Sequence, residues 1–358
     1  MRWSYTIGRI AGTEIKVHLT FLVLLAYLAL GGYRQGGSAG AVAASAMLLA
    51  LFGCVLLHEF GHILMARRFG VRTPDVILLP IGGVARLERI PSEPRQELLI
   101  AIAGPLVTLA IAVVLFLVLW LGGSPPQLGQ LDGDDGLLDF LYQANVWLLA
   151  FNLIPAFPMD GGRVLRALLA SRLGLLRGTR LAANLGQALA TVGGLYGLMA
   201  GQPLLALIAF FVFLGAGAEA SAVETRAAGE GLRVAQMMVT QFRSIPVHAT
   251  LGQAVELLLS TEQREFPVVD NLGRTEGILT RDNLIKGLSQ RGPGSTVAEA
   301  MTAGTPTDSP ALAFEEALER LRTSGLPAIP VVDAGGALVG LLTMDNITDL
   351  LLVRRARA

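Results

Sequence analysis

His58, Glu59, Phe60, Gly61 and His62 stand inside an uninterrupted apolar run of the chain. On a helix the two imidazoles of an H-E-x-x-H pattern lie at i and i+4, one turn apart on one face, so both can ligate one metal ion. The glutamate between them then reaches a water held on that metal, the arrangement used for zinc-dependent hydrolysis. The chain has four histidines, and two of them fill this pattern. A plainer alternative is a pair of core histidines satisfied by backbone carbonyls, but ionisable groups inside a membrane span are costly and mark functional sites. Cys54 precedes His58 by one turn on the same face, and its residue type suits a small apolar core position. As the one cysteine present, it excludes an intramolecular disulfide and a cysteine-rich zinc knuckle.

A tetrahedral catalytic zinc takes a third protein ligand and keeps one position open for water. His18 opens the first apolar run and His248 lies in a polar part of the chain, so neither is well placed. The run Asn152-Leu-Ile-Pro155-Ala-Phe-Pro158-Met-Asp160-Gly161-Gly162 instead breaks an apolar helix with two prolines and two glycines and leaves an aspartate at its end. Broken backbone at membrane depth is tolerated only where protein or a water-filled cavity satisfies it. Asp160 is therefore the best third ligand, with an ordinary loop after a span as the alternative.

The elements that must position these groups follow from the distribution of apolar residues. The 358 residues are 53% hydrophobic, with a mean hydropathy of +0.57, which is too apolar for a wholly soluble protein and long enough for two or three domains. Six stretches, roughly 17–33, 39–66, 98–122, 137–157, 181–200 and 203–220, have the length and lack of charge of membrane helices. The polar, strand-like segment Ser4 to Val17 precedes them and leaves no evident cleavable signal peptide. Fourteen basic residues fall in the N-terminal segment and the 67–96 and 163–180 loops, against Arg34 alone in the alternate loops, where Asp132, Asp134 and Asp135 cluster. That asymmetry places both termini in the cytoplasm. His62 is five residues before Arg67, about 7–8 Å along a helix axis, so the metal would lie in the cytoplasmic half of the bilayer. A net charge of zero gives no reason to expect nucleic acid as a partner.

The HEFGH run, the later NLIPAFPMDGGR and the intervening IAIAGP (100–105) together resemble the site-2 protease family of intramembrane zinc metalloproteases, over about residues 1–220. The resemblance implies His58, His62 and Asp160 as ligands of one Zn²⁺ per chain and Glu59 as general base. It also implies that Asn152, Pro155 and Pro158 shape a substrate cleft. The segment from Pro80 to Glu88, with Gly82 and Gly83, is similar to the family's membrane-associated β loop and would offer an edge to an unwound substrate strand. A plain glycine turn between short strands is the other reading of that segment.

Residues 234–288 and 297–355 repeat at a constant offset of 63: Pro267-Val-Val-Asp270 matches Pro330-Val-Val-Asp333, and Gly277-Ile-Leu-Thr-Arg-Asp-Asn283 matches Gly340-Leu-Leu-Thr-Met-Asp-Asn346. Valine-rich strands alternate with amphipathic helices, so each copy is an α/β unit. The pair resembles tandem CBS domains, which implies adenine-nucleotide clefts, with Thr280 and Thr343 toward phosphate and Asp282, Asp345 or their neighbours Asn283 and Asn346 toward ribose. The aspartate of many nucleotide-binding CBS motifs is replaced here by Asn283 and Asn346, which leaves open a gating or homodimerising role instead.

The expected fold is thus a polytopic α-helical membrane protein of about six transmembrane helices (1–222), a linker (223–233) and a cytoplasmic α/β CBS pair. The expected activity is zinc-dependent cleavage of a transmembrane or membrane-proximal segment of another membrane protein, such as an anti-sigma factor or a membrane-tethered transcription regulator. The expected location is a bacterial cytoplasmic membrane, with the CBS pair controlling activity or access. The rival from another class is a CBS-regulated channel or transporter, whose ionisable residues would be spread over several spans rather than gathered in one motif.

Overall fold

The computed structural model describes residues 3–80, 82–85, 93–123, 126, 129 and 136–357. Expectations resting on Ile81, Arg86, Leu87, Glu88, Asp132, Asp134 and Asp135 lie outside them. The chain forms two compact units, Met1–Val223 and Glu224–Ala358.

The first unit opens with strands β1 (Ser4–Ile10) and β2 (Thr13–His18) and the long helix α1 (Leu19–Arg68). His18 is the N-cap of α1, its Nδ1 accepting from the Thr20 backbone N–H at 3.3 Å. This is a helix-starting role rather than a metal-binding one. Within α1 the backbone turns at Gly36 and Gly37, the latter at φ 62°, which only glycine adopts freely. The expected spans 17–33 and 39–66 are the two halves on either side of this turn. Phe21 and Phe52, edge to face with centroids 4.6 Å apart, fix them side by side.

His58 and His62 lie about 9–15 Å beyond Phe52 along the second half, past the start of the first. There a sheet takes over the packing: Ile15 of β2 and Val76 of β3 (Asp75–Leu79) bury against Ile63. The sheet order is β1-β2-β3-β4, with β4 being Gly82–Ala85 and β2 parallel to β3. Arg67 Nη2 donates to Thr13 Oγ1 at 2.8 Å and ties the β1–β2 turn to the end of α1.

Five further helices and a broken connection complete the described residues of this part: α2 (Pro94–Leu121), α3 (Leu137–Asn152), α4 (Asp160–Leu173), α5 (Leu175–Met199) and α6 (Pro203–Gly229). Among the described residues, three helices, α1, α2 and α6, are long and apolar enough to cross a membrane. The expected loop 163–180 is instead helical apart from a break at Gly174, and residues 223–229 of the expected linker continue α6. The expected span 137–157 stops at Asn152, where Leu153 to Met159 carry the prolines that cannot continue a helix.

In the second unit, β5 (Ile245–Pro246), β6 (Glu265–Val269), β7 (Thr275–Thr280) and β8 (Thr302–Ala303) form one sheet, while β9 (Ala328–Val332) and β10 (Leu338–Thr343) form a hairpin. Helices α7 (Leu251–Ser260), α8 (Arg281–Arg291), α9 (Phe314–Ser324) and α10 (Met344–Arg357) alternate with the strands. The pairs β6 and β9, β7 and β10, and α8 and α10 start 63 residues apart, the offset of the sequence repeat. Each copy has its own core, around Phe266 in the first and Phe314 in the second.

Candidate metal centre

His58 and His62 project from one face of α1 and are buried, and Asp160, the first residue of α4, is buried opposite them. His58 Nε2 and His62 Nε2 are 3.2 Å apart, and each lies 3.1 Å from Asp160 Oδ2. Ligands at about 2.0–2.1 Å from a tetrahedral zinc stand about 3.3 Å from one another, so the three atoms form one face of such a tetrahedron. Among the described residues, this is the group of metal-ligating side chains whose donor atoms come together. The donor set, two imidazoles and a carboxylate, fits a catalytic zinc, which takes three protein ligands.

The far nitrogens of both rings are engaged. His62 Nδ1 lies 2.7 Å from the Ile100 carbonyl, to which it donates, leaving the Nε2 lone pair for the metal. His58 Nδ1 lies 2.8 Å from Thr108 Oγ1, and the Thr108 hydroxyl has its i−4 carbonyl, Gly104 O, at 3.5 Å as its own acceptor. Thr108 is fully buried. Gly104 also makes room: a β-carbon there would clash with the His62 ring, 2.1 Å from its Nε2. Neither Thr108 nor the Ile100 carbonyl was visible as a site group in the sequence, although the IAIAGP run begins at Ile100 and ends three residues before Thr108. Helical spacing from Gly104 to Thr108, set against the HEFGH face, is the signal that would have found them.

Glu59 is half-buried, and β4 lies against it: a β-carbon on Gly83 would stand 2.7 Å from Glu59 Cγ and 3.1 Å from Oε1. The closeness of strand to carboxylate therefore depends on glycine at this position. Asn152 is half-buried at the end of α3, Pro155 and Pro158 are exposed, and Pro158 packs toward Gly215 of α6. Ala156 and Phe157, between the prolines, are the buried residues of this loop. Cys54 is buried on α1, and His248 is exposed in the second unit.

The remaining expected site residues lie in the second unit. Thr280 and Thr343 cap α8 and α10, accepting from Asn283 N at 3.2 Å and Asn346 N at 3.1 Å. Asn283 Nδ2 donates to Thr302 Oγ1 at 3.0 Å and Asn346 Nδ2 donates to the Met237 carbonyl, so both asparagines pin neighbouring segments. Thr343 and Asp345 line a cleft of about 1080 Å³ with Arg243, Arg264, Glu265 and Arg281. Thr280, Asp282 and Asn283 are not among its lining residues. Burial, with Asp345 nearby, pushes the Glu265 carboxyl above its ordinary range.

Comparison with known proteins agrees with both units. The model of Peptidase family M50 matches residues 46–130 and 132–193, and that of the CBS domain matches 234–290 and 297–353. A zinc metalloprotease of Methanocaldococcus jannaschii is 36% identical over 295 residues, 80% of this chain and 80% of that protein. A Mycobacterium tuberculosis protein named as a zinc metalloprotease is 29% identical over 375 residues, 99% of this chain and 94% of its own. The solved structure of a site-2 protease from Methanocaldococcus jannaschii is 39% identical and covers 61% of this chain and 95% of its own, with a TM-score of 0.46.

Proposed function

This chain belongs to peptidase family M50 as a zinc metalloendopeptidase of the site-2 protease type, and we propose that it cleaves a transmembrane or membrane-proximal segment of another membrane protein. Six spans would place both termini and the CBS pair in the cytoplasm of a bacterial cell. Two imidazoles and a carboxylate whose donor atoms converge on one point, the donor set of a zinc hydrolase, support hydrolysis over ion conduction.

His58, His62 and Asp160 would hold the zinc. When bound, the metal supplies Lewis-acid polarisation of the scissile carbonyl and makes a water acidic enough to attack near neutral pH. Glu59 would take the proton from the attacking water and would pass it to the leaving amine. A helical substrate hides its carbonyls in i to i+4 bonds and must first unwind. The last strand of the sheet, β4, which begins at Gly82, would take up the unwound segment through main-chain hydrogen bonds, with Gly83 allowing the strand to lie against Glu59. Asn152, Pro155 and Pro158 would shape the opposite wall of the cleft.

The single observation carrying this reading is the 3.1–3.2 Å triangle of His58, His62 and Asp160 beside Glu59. The test is co-expression with single-span candidates, anti-sigma factors and membrane-tethered transcription regulators first, against a Glu59→Gln control. A candidate cut by the wild type and spared by the control supports the reading. No cleavage of any spanning substrate by a zinc-loaded protein contradicts it.

For the CBS pair the proposed role is control of activity or access by an adenine nucleotide in the 1080 Å³ cleft, where Arg243, Arg264 and Arg281 supply cationic groups for phosphate and Thr343 and Asp345 supply hydroxyl and carboxylate. Millimolar AMP, ADP or ATP should then raise the melting temperature of the 224–358 fragment by mass action. No shift with any of them would leave the pair as a gate or a homodimer interface.

A further inference from the structure

Arg166, on α4 six residues after Asp160, is 2% exposed and belongs to a cluster of charges separate from the metal ligands. Its Nε donates to Glu97 Oε1 of α2 at 2.6 Å, its Nη2 approaches the same oxygen at 2.5 Å, and its Nη1 donates to Glu219 Oε1 of α6 at 2.5 Å. The guanidinium also stands over the Phe157 ring, 5.0 Å from its centroid, within cation–π range. One side chain thus joins three helices and the broken loop.

Two of these arms lead toward the metal ligands. Phe157 is 1% exposed and three residues before Asp160, so the ring pinned under the guanidinium fixes the chain that delivers the carboxylate. Glu97 is one helical turn before Ile100, whose carbonyl accepts from His62 Nδ1 at 2.7 Å. Stability alone does not call for such a cluster, since buried ion pairs can often be replaced by well-packed apolar residues without loss. A guanidinium fork differs from an apolar trio in having donors at fixed angles.

We propose that Arg166 is a positioning residue of the metal centre, setting Asp160 through Phe157 and His62 through Glu97 and Ile100, with Glu219 of α6 as its third anchor. The Glu219 side chain is 30% exposed against 6% for Glu97, so it is the anchor that can be changed with least damage to the fold. The inference rests on the reading of His58, His62 and Asp160 as zinc ligands.

The experiment measures, on the full-length protein in detergent, zinc affinity by chelator competition and the visible spectrum of the cobalt-substituted form. The proteins are wild type, His62→Ala, Arg166→Gln, Arg166→Lys and Glu219→Gln, each with a thermal melt. Loss of a group that orients a metal ligand typically lowers metal affinity about 10- to 100-fold, the result expected for Arg166→Gln together with a shifted cobalt spectrum. Arg166→Lys should recover part of the affinity, because it restores the charge without the fork. Glu219→Gln should show a smaller loss. Arg166→Gln that melts, binds zinc and absorbs as wild type overturns the proposal. If Arg166→Gln does not fold, wild-type affinity and spectrum in both Arg166→Lys and Glu219→Gln overturn it instead. Equal zinc binding by His62→Ala and wild type would mean that the ligand reading itself has failed.

Discussion

Around the metal centre each buried charge or ring nitrogen is answered: His58 by Thr108, His62 by Ile100, both by Asp160, and Arg166 by Glu97 and Glu219. In the CBS pair the buried acid is not. Asp308 is fully buried, one carboxylate oxygen reaches Arg320 at 3.4 Å, and the other has no hydrogen-bond partner among the described residues. It pairs in register with Val331 of β9, as Ile245 in the first repeat pairs with Val268 of β6, so a carboxylate occupies a place where the sister repeat buries an isoleucine. A satisfied polar network holds one geometry, whereas an unsatisfied carboxylate keeps its desolvation cost. Substitutions should therefore remove function in the first unit and raise stability at Asp308.

The largest effect belongs to the proposed ligands. His58→Ala, His62→Ala and Asp160→Ala should each leave a two-ligand site, and zinc content measured after purification should fall well below one per chain. Wild-type zinc affinity in Asp160→Ala would mean that another group completes the site.

Removing a partner of a ligand should weaken the site less. Thr108→Val leaves His58 Nδ1 without its acceptor, and zinc affinity should fall about 10- to 100-fold with the helices intact by circular dichroism. Gly104→Ala should act in the same direction by crowding the His62 ring.

The smallest effect has the opposite sign. Asp308→Ile should stabilise the 224–358 fragment by about 1–3 kcal/mol near neutral pH, because the lost ion pair is with a half-exposed arginine while a buried unpartnered oxygen is removed. Burial pushes the Asp308 carboxyl above its ordinary range. The wild-type stability tied to this group is therefore fully present below its unfolded value, about 4, and is lost as pH rises through the higher folded value. The gain from Asp308→Ile should grow with pH across that window in denaturant titrations. A gain that is flat or shrinks with rising pH would remove Asp308 as its source.

What the sequence made legible was local in spacing. The i, i+4 histidines, the proline-broken run ending in Asp160 and the repeat at an offset of 63 each follow from neighbours along the chain. Arg166 shows the limit of such reasoning. Counted among basic residues of a cytoplasmic loop, it is a buried residue of α4, and what buries it are Glu97 and Glu219, 69 and 53 residues away. Thr108 is similar, an unremarkable threonine in an apolar helix until α2 is set against α1, 50 residues from the histidine it serves. The turn at Gly36 and Gly37 was legible because glycines and a drop in hydropathy coincide there. The helical character of 163–180 was not, since its arginines suggested a loop where they decorate α4 and the start of α5.

The central claim is that Glu59 is the base of a zinc site whose ligands lie elsewhere. Its most direct test is zinc content and cleavage of a single-span membrane substrate by purified wild type and Glu59→Gln. The account predicts about one zinc per chain in both, with cleavage by the variant lower by about 10²- to 10⁴-fold. Undiminished cleavage by a zinc-loaded Glu59→Gln would contradict it.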